Sequence, residues 1–201
     1  MKLPKEKFQR LEYNSGILYI TVFVFITLIT SFSLSSVSAS PIIYDDDYMV
    51  EEFATGLQWP TTMTFVGDDI LVLEKNTGKV IRIQDNRIIY NEPALDVPVI
   101  FNGHHGLLGI ASTPNHVYLY FTESVSDFDE KYNKNARNTV YQYDWNGEKL
   151  TNPILIKELP AIHTDHTGGV ITKGQNNEIY FVIGDQDQRT TFQNIPVDAT
   201  Y

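Results

Sequence analysis

The sequence predicts an all-β chain, and more narrowly a β-propeller, on three observations. After residue 50, apolar and β-branched runs of four to seven residues alternate with turns rich in Gly, Asn and Asp. No window of ten or more residues in that part shows a helical hydrophobic stripe. A weak repeat, in which a short apolar strand precedes a longer one, recurs three times at intervals typical of propeller blades.

The first repeat is predicted to form a meander of four consecutive antiparallel strands. Short turn sequences separate its apolar runs, and turns of this kind join neighbouring strands as tight hairpins. The predicted strands are Thr61–Val66, Ile70–Lys75, Lys79–Gln84 and Arg87–Tyr90.

The repeat is visible in three pairs of segments. TTMTFV precedes DILVLEK, LLGIAS precedes HVYLYFTE, and GGVITK precedes EIYFVIGD. The longer segments follow one another at intervals of 47 and 62 residues, counted from Ile70 to Val117 and on to Ile179. Spacings of about 40–50 residues suit four-stranded blades, and the polar segment Ser124–Asn138 is predicted as an insertion that lengthens the second interval. A plain β-sandwich or barrel is the alternative that this pattern leaves open.

The repeat accounts for two to three blades, which would not close a ring. An open stack of blades leaves one blade face and one sheet edge bare. We therefore expect the chain to be the N-terminal part of a longer propeller, or to be completed by a partner.

The first 39 residues have the layout of an export signal. Basic residues at positions 2, 5, 7 and 10 precede an apolar run, Gly16–Leu34, and the small residues Val37-Ser38-Ala39 form a cleavage pattern. The apolar run is 19 residues long, about enough to cross a bilayer as a helix, so an uncleaved membrane anchor stays open. In both cases the remainder is delivered outside, which predicts a secreted or extracytoplasmic protein. A buried core helix is the alternative.

Charge and cysteine content exclude several classes of function. Without its first 39 residues the chain carries 11 basic and 23 acidic residues, a net charge of −12. So acidic a surface argues against a nucleic-acid partner, whose phosphates require cations. The chain has no cysteine, which excludes disulfides and thiol chemistry. The predicted organisation is a signal or anchor at 1–39, an acidic connector at 40–49 and a partial β domain at 50–201.

Four of the five histidines fall in two clusters that precede glycine-rich strands. His104 and His105 stand before LLGIAS, whereas His163 and His166 stand before GGVITK. Glycine permits close backbone approach, and strand starts converge near a propeller's channel, so both clusters are predicted to line a pocket. His163, Asp165 and His166 could form half of a metal site that His104 and His105 join, but no regular ligand scaffold completes it, and we predict no metal there.

His166 and Asp185 are predicted to form a base and its orienting carboxylate. A neutral imidazole can take a proton from a substrate hydroxyl, and it does so better when a carboxylate holds its other nitrogen. A hairpin at GQNN would pair the strand Glu178–Gly184 with the strand after His166 and bring both residues to one end of the sheet. Two polar residues capping adjacent loops are the alternative.

These stretches resemble the glucose/sorbosone dehydrogenases, soluble quinoproteins that use pyrroloquinoline quinone (PQQ). The similarity runs in family order from about Glu52 to Gln188. Its most distinctive elements are Gly106–Gly109 and the motif His-x-Gly-Gly … Ile-Gly-Asp, from His166 to Asp185. The other similar stretches are GLQWPTTMTFVGDDILVLEKNTGKVIRI, HVYLYFTES and NTVYQYDWNG.

The resemblance implies a six-bladed propeller that oxidises the C1 hydroxyl of an aldose to a lactone by hydride transfer to PQQ. By motif, His166 matches the general base and Asp185 matches its carboxylate partner. His104 stands where a glutamine can face the substrate, and we expect His104 and His105 to contact the sugar. Val170 departs from the arginine that many members place after the Gly-Gly pair.

The resemblance also implies PQQ and Ca²⁺ as cofactors, held by residues of later blades beyond Tyr201. PQQ is a tri-acid and needs cations that so acidic a chain lacks. We therefore expect this chain alone to be an inactive part of an exported PQQ-dependent aldose dehydrogenase, which passes electrons to an external or membrane acceptor. A non-catalytic binding propeller and a Ca²⁺-dependent propeller hydrolase are the alternatives, since the fold alone does not decide function.

Overall fold

The computed structural model describes residues 43–186, apart from residues 46, 86, 90, 91 and 132. It divides the chain into two units, Met1–Val50 and Glu51–Tyr201. In the first unit the described residues form a largely exposed turn, where the Tyr48 amide donates to the Asp45 carbonyl at 3.2 Å. The predicted export segment at 1–39 lies outside the described residues. Within the described part, no helix is long and apolar enough to cross a membrane.

The described residues of the second unit form eleven β-strands and no helix. The prediction of an all-β chain is confirmed. The strands are β1 (Pro60–Val66), β2 (Asp69–Glu74), β3 (Lys79–Gln84), β4 (Arg87–Ile89), β5 (Leu95–Asp96), β6 (Leu107–Ser112), β7 (His116–Glu123), β8 (Arg137–Trp145), β9 (Leu150–Pro160), β10 (Ile171–Lys173) and β11 (Ile179–Phe181).

The first sheet is the predicted antiparallel meander. Its order is β1-β2-β3-β4, and β5 pairs with the free part of β3. The prediction of β3 is confirmed to the residue, whereas β2 lies one residue earlier than predicted. That shift follows from the hairpin, because Val66 pairs with Asp69 and leaves only Gly67 and Asp68 to make the turn. The predicted end of β4 at Tyr90 lies outside the described residues.

The second sheet repeats this plan with longer strands in the order β6-β7-β8-β9. The predicted insertion is wrong at its end, because β8 already begins at Arg137. Asn138 is fully buried in this strand, where its side chain accepts from Thr122 Oγ1 at 2.7 Å and donates to the Pro160 carbonyl at 2.8 Å. Its polar atoms are satisfied inside the sheet, so its polarity was a poor indicator of a loop.

The third repeat is the hairpin β10–β11, in which Ile171 pairs with Phe181. The predicted turn at GQNN is confirmed. Hydrogen bonds continue the ladder toward the start of β10, where the Gly169 amide donates to Val182 at 3.0 Å and the Val182 amide donates to Val170 at 2.9 Å. The hairpin therefore extends to the residues beside His166.

The first strands of the three repeats lie side by side, since β6 contacts both β1 and β10. Between the first two sheets, apolar side chains form the main core, in which each buried Leu or Ile contributes about 1.5–3 kcal/mol. A smaller cluster joins the second sheet to the hairpin. Four-stranded meanders packed face to face with their first strands adjacent have the form of propeller blades. The core residues are Leu71, Leu73, Val80, Ala94, Val97, Val99, Leu107, Ile110, Val117, Leu119, Phe121, Tyr143 and Leu150, and the smaller cluster is Ala111, Tyr120, Val140 and Ile171.

Candidate active site

The two histidine clusters meet where β6 and β10 begin. The His104 amide donates to the Thr164 carbonyl at 2.7 Å, and Thr167 Oγ1 donates to the His104 carbonyl at 3.0 Å. Thr167 is buried, and its own carbonyl accepts from the buried Tyr120 hydroxyl at 2.9 Å. The predicted convergence of the clusters is confirmed, and it rests on hydrogen bonds to the backbone of His104 that are anchored in the core.

Glycines allow these backbones to approach so closely. Gly103 has a φ of +58°, and a Cβ on it would lie 2.7 Å from the Thr164 carbonyl oxygen. A Cβ on Gly184 would collide with the carbonyl of His166. Any larger residue at either position would push the two segments apart.

His166 and Asp185 are brought together as predicted. The distance from His166 Nδ1 to Asp185 Oδ1 is 2.7 Å, and the His166 side chain is 55% exposed. Because the carboxylate accepts, we assign the ring proton of neutral His166 to Nδ1, which leaves a lone pair on Nε2. His166 itself has a φ of +52°, a left-handed conformation that is uncommon outside glycine.

His104 contacts His166 through its ring. Its Nδ1 accepts a hydrogen bond from the backbone amide of His166 at 2.9 Å, and the two rings stack with centroids 6.2 Å apart. Its Nε2 lies 3.9 Å from Asp165 Oδ1. Sequence reasoning missed the bond from the ring to the amide. No periodic pattern signals it, because it joins two loops 62 residues apart in the chain.

His105, unlike His104, is buried, with 4% of its surface exposed. Within the described part of the chain, neither of its ring nitrogens has a partner within ordinary hydrogen-bond geometry, although the His163 backbone lies close enough to act on the ring. Burial lowers the pKa of His105, and the charge of Lys75 acts in the same direction, against the opposing effects of the His163 backbone and Asp165. Its contact with a substrate stays a prediction, because of the two neighbours only His104 exposes most of its ring.

Lys75 lies beneath the loop that carries His104. Its Nζ donates to the Gly103 carbonyl at 2.9 Å and to Asn76 Oδ1 at 3.2 Å, and burial lowers its pKa. Its carbonyl also accepts from the Leu107 amide at 2.9 Å. Sequence reasoning placed Lys75 only at a strand end, so its role as a support for the histidine loop was missed.

The profile of the glucose/sorbosone dehydrogenases matches residues 57–199, well over half of the chain. The chain belongs to the glucose/sorbosone dehydrogenase family. The match includes both histidine clusters and Asp185.

Three proteins that are similar to this chain are described as dehydrogenases of glucose or aldose sugars. Quinoprotein glucose dehydrogenase B of Acinetobacter calcoaceticus is 30% identical in an alignment of 129 residues that covers 59% of this chain and 27% of that protein. The PQQ-bound aldose sugar dehydrogenase of Streptomyces coelicolor is 27% identical, with a TM-score of 0.55 over 70% of this chain and 42% of that one. An oxidoreductase of Thermus thermophilus described as a glucose dehydrogenase is 26% identical, with a TM-score of 0.57 over 67% of this chain and 39% of that one. The chain thus spans less than half the length of each relative.

The donor set near His166 bears on whether this portion of a glucose/sorbosone dehydrogenase can hold a quinone cofactor. PQQ carries three carboxylates, and a site that binds it requires several cationic groups. In the part of the chain that the structure describes, Lys75 lies beneath the site, but its ammonium is already directed at Gly103 and Asn76. No group of three or more Asp, Glu or His side chains among the described residues could hold a metal ion. Lys75 alone therefore does not supply the positive charge that PQQ needs, and no side-chain cluster in the described part of the chain offers a site for Ca²⁺.

Proposed function

We propose that this chain supplies the first blades of an exported PQQ-dependent aldose dehydrogenase, with His166 as general base and Asp185 as the carboxylate that orients it. The observation that carries the proposal is the 2.7 Å contact of Nδ1 with Oδ1 beside an exposed ring, in a chain of the glucose/sorbosone dehydrogenase family. Relatives whose names specify glucose or aldose support the choice of substrate class.

The proton step follows from the tautomer of His166. With the Nδ1 proton held by Asp185, Nε2 can accept the proton of the C1 hydroxyl of an aldose. The Asp185 carboxylate then stabilises the imidazolium that forms. Such a positioned base contributes typically about 10²–10⁴-fold to the rate.

The remainder of the site comes, in this proposal, from blades outside the described residues. They complete a six-bladed ring and supply the cations and carbonyls for PQQ and Ca²⁺. PQQ, when bound, supplies the hydride acceptor. In support of this division, the Lys75 ammonium is already bonded to Gly103 and Asn76, no group of three or more His, Asp or Glu side chains among the described residues could hold a metal ion, and the chain spans 42% of the PQQ-bound relative.

His104 is proposed to contact the sugar beside the base. Its side chain is 60% exposed, and its Nε2 lies 3.9 Å from Asp165 Oδ1 at the open edge of the site. A ring N–H and a carboxylate oxygen together can pair with one sugar hydroxyl, which both accepts and donates.

The proposed location is outside the cytoplasm, on the basis of the basic, apolar and small-residue segments in residues 1–39. An uncleaved Gly16–Leu34 would hold the enzyme at the membrane, beside a membrane electron acceptor. Cleavage after Ala39 would release it to an external acceptor.

The test combines an aldose, PQQ, Ca²⁺ and a dye acceptor with two samples: this chain, and the longer protein that contains it. We expect the longer protein to reduce the dye and this chain to show no turnover. Clear turnover by this chain alone would contradict the division of the site between blades. A longer protein that binds PQQ yet oxidises no aldose would overturn the proposed activity and favour a binding propeller.

A further inference from the structure

The ring of His104 is partly exposed, and its Nδ1 also contacts the backbone of His166. We propose that His104 is a positioning residue: its Nδ1 accepts the amide proton of His166 and so holds the left-handed turn that aims the ring of His166 at its target. The proposal rests on the proposed function only in treating His166 as a base.

The conformation of His166 needs such support. A φ of +52° is one that residues with a Cβ adopt rarely, and it persists where the surroundings enforce it. Both backbone groups of His166 are engaged: the amide donates to His104 Nδ1 at 2.9 Å, and the carbonyl accepts from the Gln186 amide at 3.2 Å. The Gln186 bond belongs to the hairpin, so the His104 ring provides the support from the opposite loop.

His104 is rigid enough to serve this purpose. Its backbone amide and carbonyl are both bonded to the facing segment, through Thr164 and Thr167. Thr167 has 1% of its surface exposed and is tied to the buried Tyr120 hydroxyl. The ring therefore projects from a backbone that the core holds in place.

The bond also assigns a tautomer to His104. Nδ1 can accept only when it carries no proton, so the ring proton of neutral His104 lies on Nε2, toward Asp165. Asparagine places a side-chain oxygen near the position of Nδ1 and can replace it as the acceptor. Phenylalanine keeps the ring shape but has no acceptor at that position.

The direct test is nuclear magnetic resonance of the full chain labelled with ¹⁵N and kept in mild detergent. We expect a scalar coupling across the N–H···N bond between the His166 amide nitrogen and His104 Nδ1, with the His104 proton on Nε2. A His104 ring protonated on Nδ1 at neutral pH would overturn the proposal, because that nitrogen could not accept.

Variants test whether the bond supports the turn. Loss of one neutral hydrogen bond should speed hydrogen exchange of the His166 amide by roughly fivefold in His104→Phe. His104→Asn should stay within about twofold of the parent, because it keeps an acceptor. His116→Asn, at the other end of the second sheet, is the matched control and should leave that amide unchanged. Equal exchange in the parent, His104→Phe and His104→Asn would contradict the proposal, and the coupling in the parent chain decides it if a variant does not fold.

Kinetics of the longer holoenzyme separate positioning from sugar contact. Positioning predicts that His104→Phe lowers kcat and that His104→Asn restores most of it. A change confined to KM would overturn the positioning role. Should the coupling and exchange behave as expected while no variant or parent oxidises an aldose, the proposed function fails and the positioning of His166 stands.

Discussion

Two of the histidine–aspartate pairs among the described residues join Nδ1 to Oδ1 in the same way but are held in place differently. His116 Nδ1 lies 3.0 Å from Asp144 Oδ1, and the two residues are direct partners across β7 and β8. His166 and Asp185 are closer, at 2.7 Å, yet lie outside the regular strands, and His166 adopts a φ of +52°. The first pair follows from strand register at no conformational cost, whereas the second is held in a strained turn. Strain kept in this way is typical of functional sites.

Their surroundings differ in the same sense. Asp144 is also bonded to Asn152 Nδ2 at 2.8 Å, and Asn152 and His116 together lower its pKa. The pair closes the end of a strand. His166 instead exposes more than half of its side chain, beside the ring of His104. We infer that one pair caps a sheet and that the other is available to a substrate.

The largest expected difference between the pairs is in catalysis by the proposed longer dehydrogenase that contains this chain. Asp185→Asn should lower kcat by at least about 100-fold, since the neutral amide neither holds the Nδ1 tautomer nor stabilises the imidazolium. Asp144→Asn should leave kcat within about twofold, because its partner lies far from the reacting groups. Steady-state assays at saturating aldose measure both. Similar losses in the two variants would remove the distinction between a cap and a base pair.

A second difference is in the space around two glycines of positive φ, Gly168 beside His166 and Gly147 in the turn after β8. Gly168 has a φ of +81°, and a Cβ there would collide with the Val182 carbonyl and lie 2.7 Å from Ile183 Cα. Gly168→Ala should therefore lower the free energy of unfolding by about 2–5 kcal/mol, from backbone strain and overpacking together. Gly147 also has a positive φ, +98°, but nothing lies within 4 Å of the position that a Cβ would take, so Gly147→Ala should cost only about 1–2 kcal/mol.

Urea unfolding of both alanine variants provides the measurement. Both glycines have a positive φ, so both alanine variants carry backbone strain. The difference between their losses of stability therefore measures the crowding around the added Cβ at Gly168. Equal losses of stability would show that the two segments beside His166 are not packed as closely as the structure places them.

Local chemistry explains what the sequence could predict. The turns at Gly67-Asp68 and GQNN specify hairpins by their own residues, so the meander and the pairing of β10 with β11 were predictable. The hairpin then brought His166 to Asp185 without further information. Asn138 was misread because a buried polar residue is decided by its partners, Thr122 and Pro160, which only the folded sheet brings together.

The two neighbouring histidines show where sequence reasoning ends. His104 and His105 have the same side chain and adjacent positions, and nothing in the sequence distinguishes their environments. The fold turns one ring to the amide of His166 and buries the other near Lys75. Contacts between loops 62 residues apart decide this, and no periodic pattern records them.

A third difference is between His104, whose side chain is exposed, and His105, whose ring is buried and has a lowered pKa. The lowered pKa of His105 means that the folded state keeps its ring neutral while the unfolded state takes up a proton below about pH 6.5. The contribution of His105 to stability is thus present above that pH and is lost as the pH falls, by at most about 1.4 kcal/mol per pH unit. Urea midpoints of the parent and His105→Leu at pH 7.5 and 5.5 should show a flatter dependence in the variant. Parallel curves would contradict the buried neutral ring.

The smallest expected effect is at the cap itself. His116 and Asp144 are both more than a third exposed, and ion pairs of this kind contribute little in water. His116→Gln should therefore leave the thermal midpoint unchanged within error. A clear decrease would show that the cap stabilises the second sheet more than its exposure suggests.

The central claim, that His166 is the base of a sugar dehydrogenase, is tested most directly by a single-turnover experiment. The longer protein is loaded with PQQ and Ca²⁺, and reduction of the bound quinone by an aldose is followed in His166→Gln and His116→Gln. We predict that His166→Gln binds PQQ as the parent does but reduces it at least about 100-fold more slowly, while His116→Gln matches the parent. Equal rates of quinone reduction in the parent and His166→Gln would contradict the assignment.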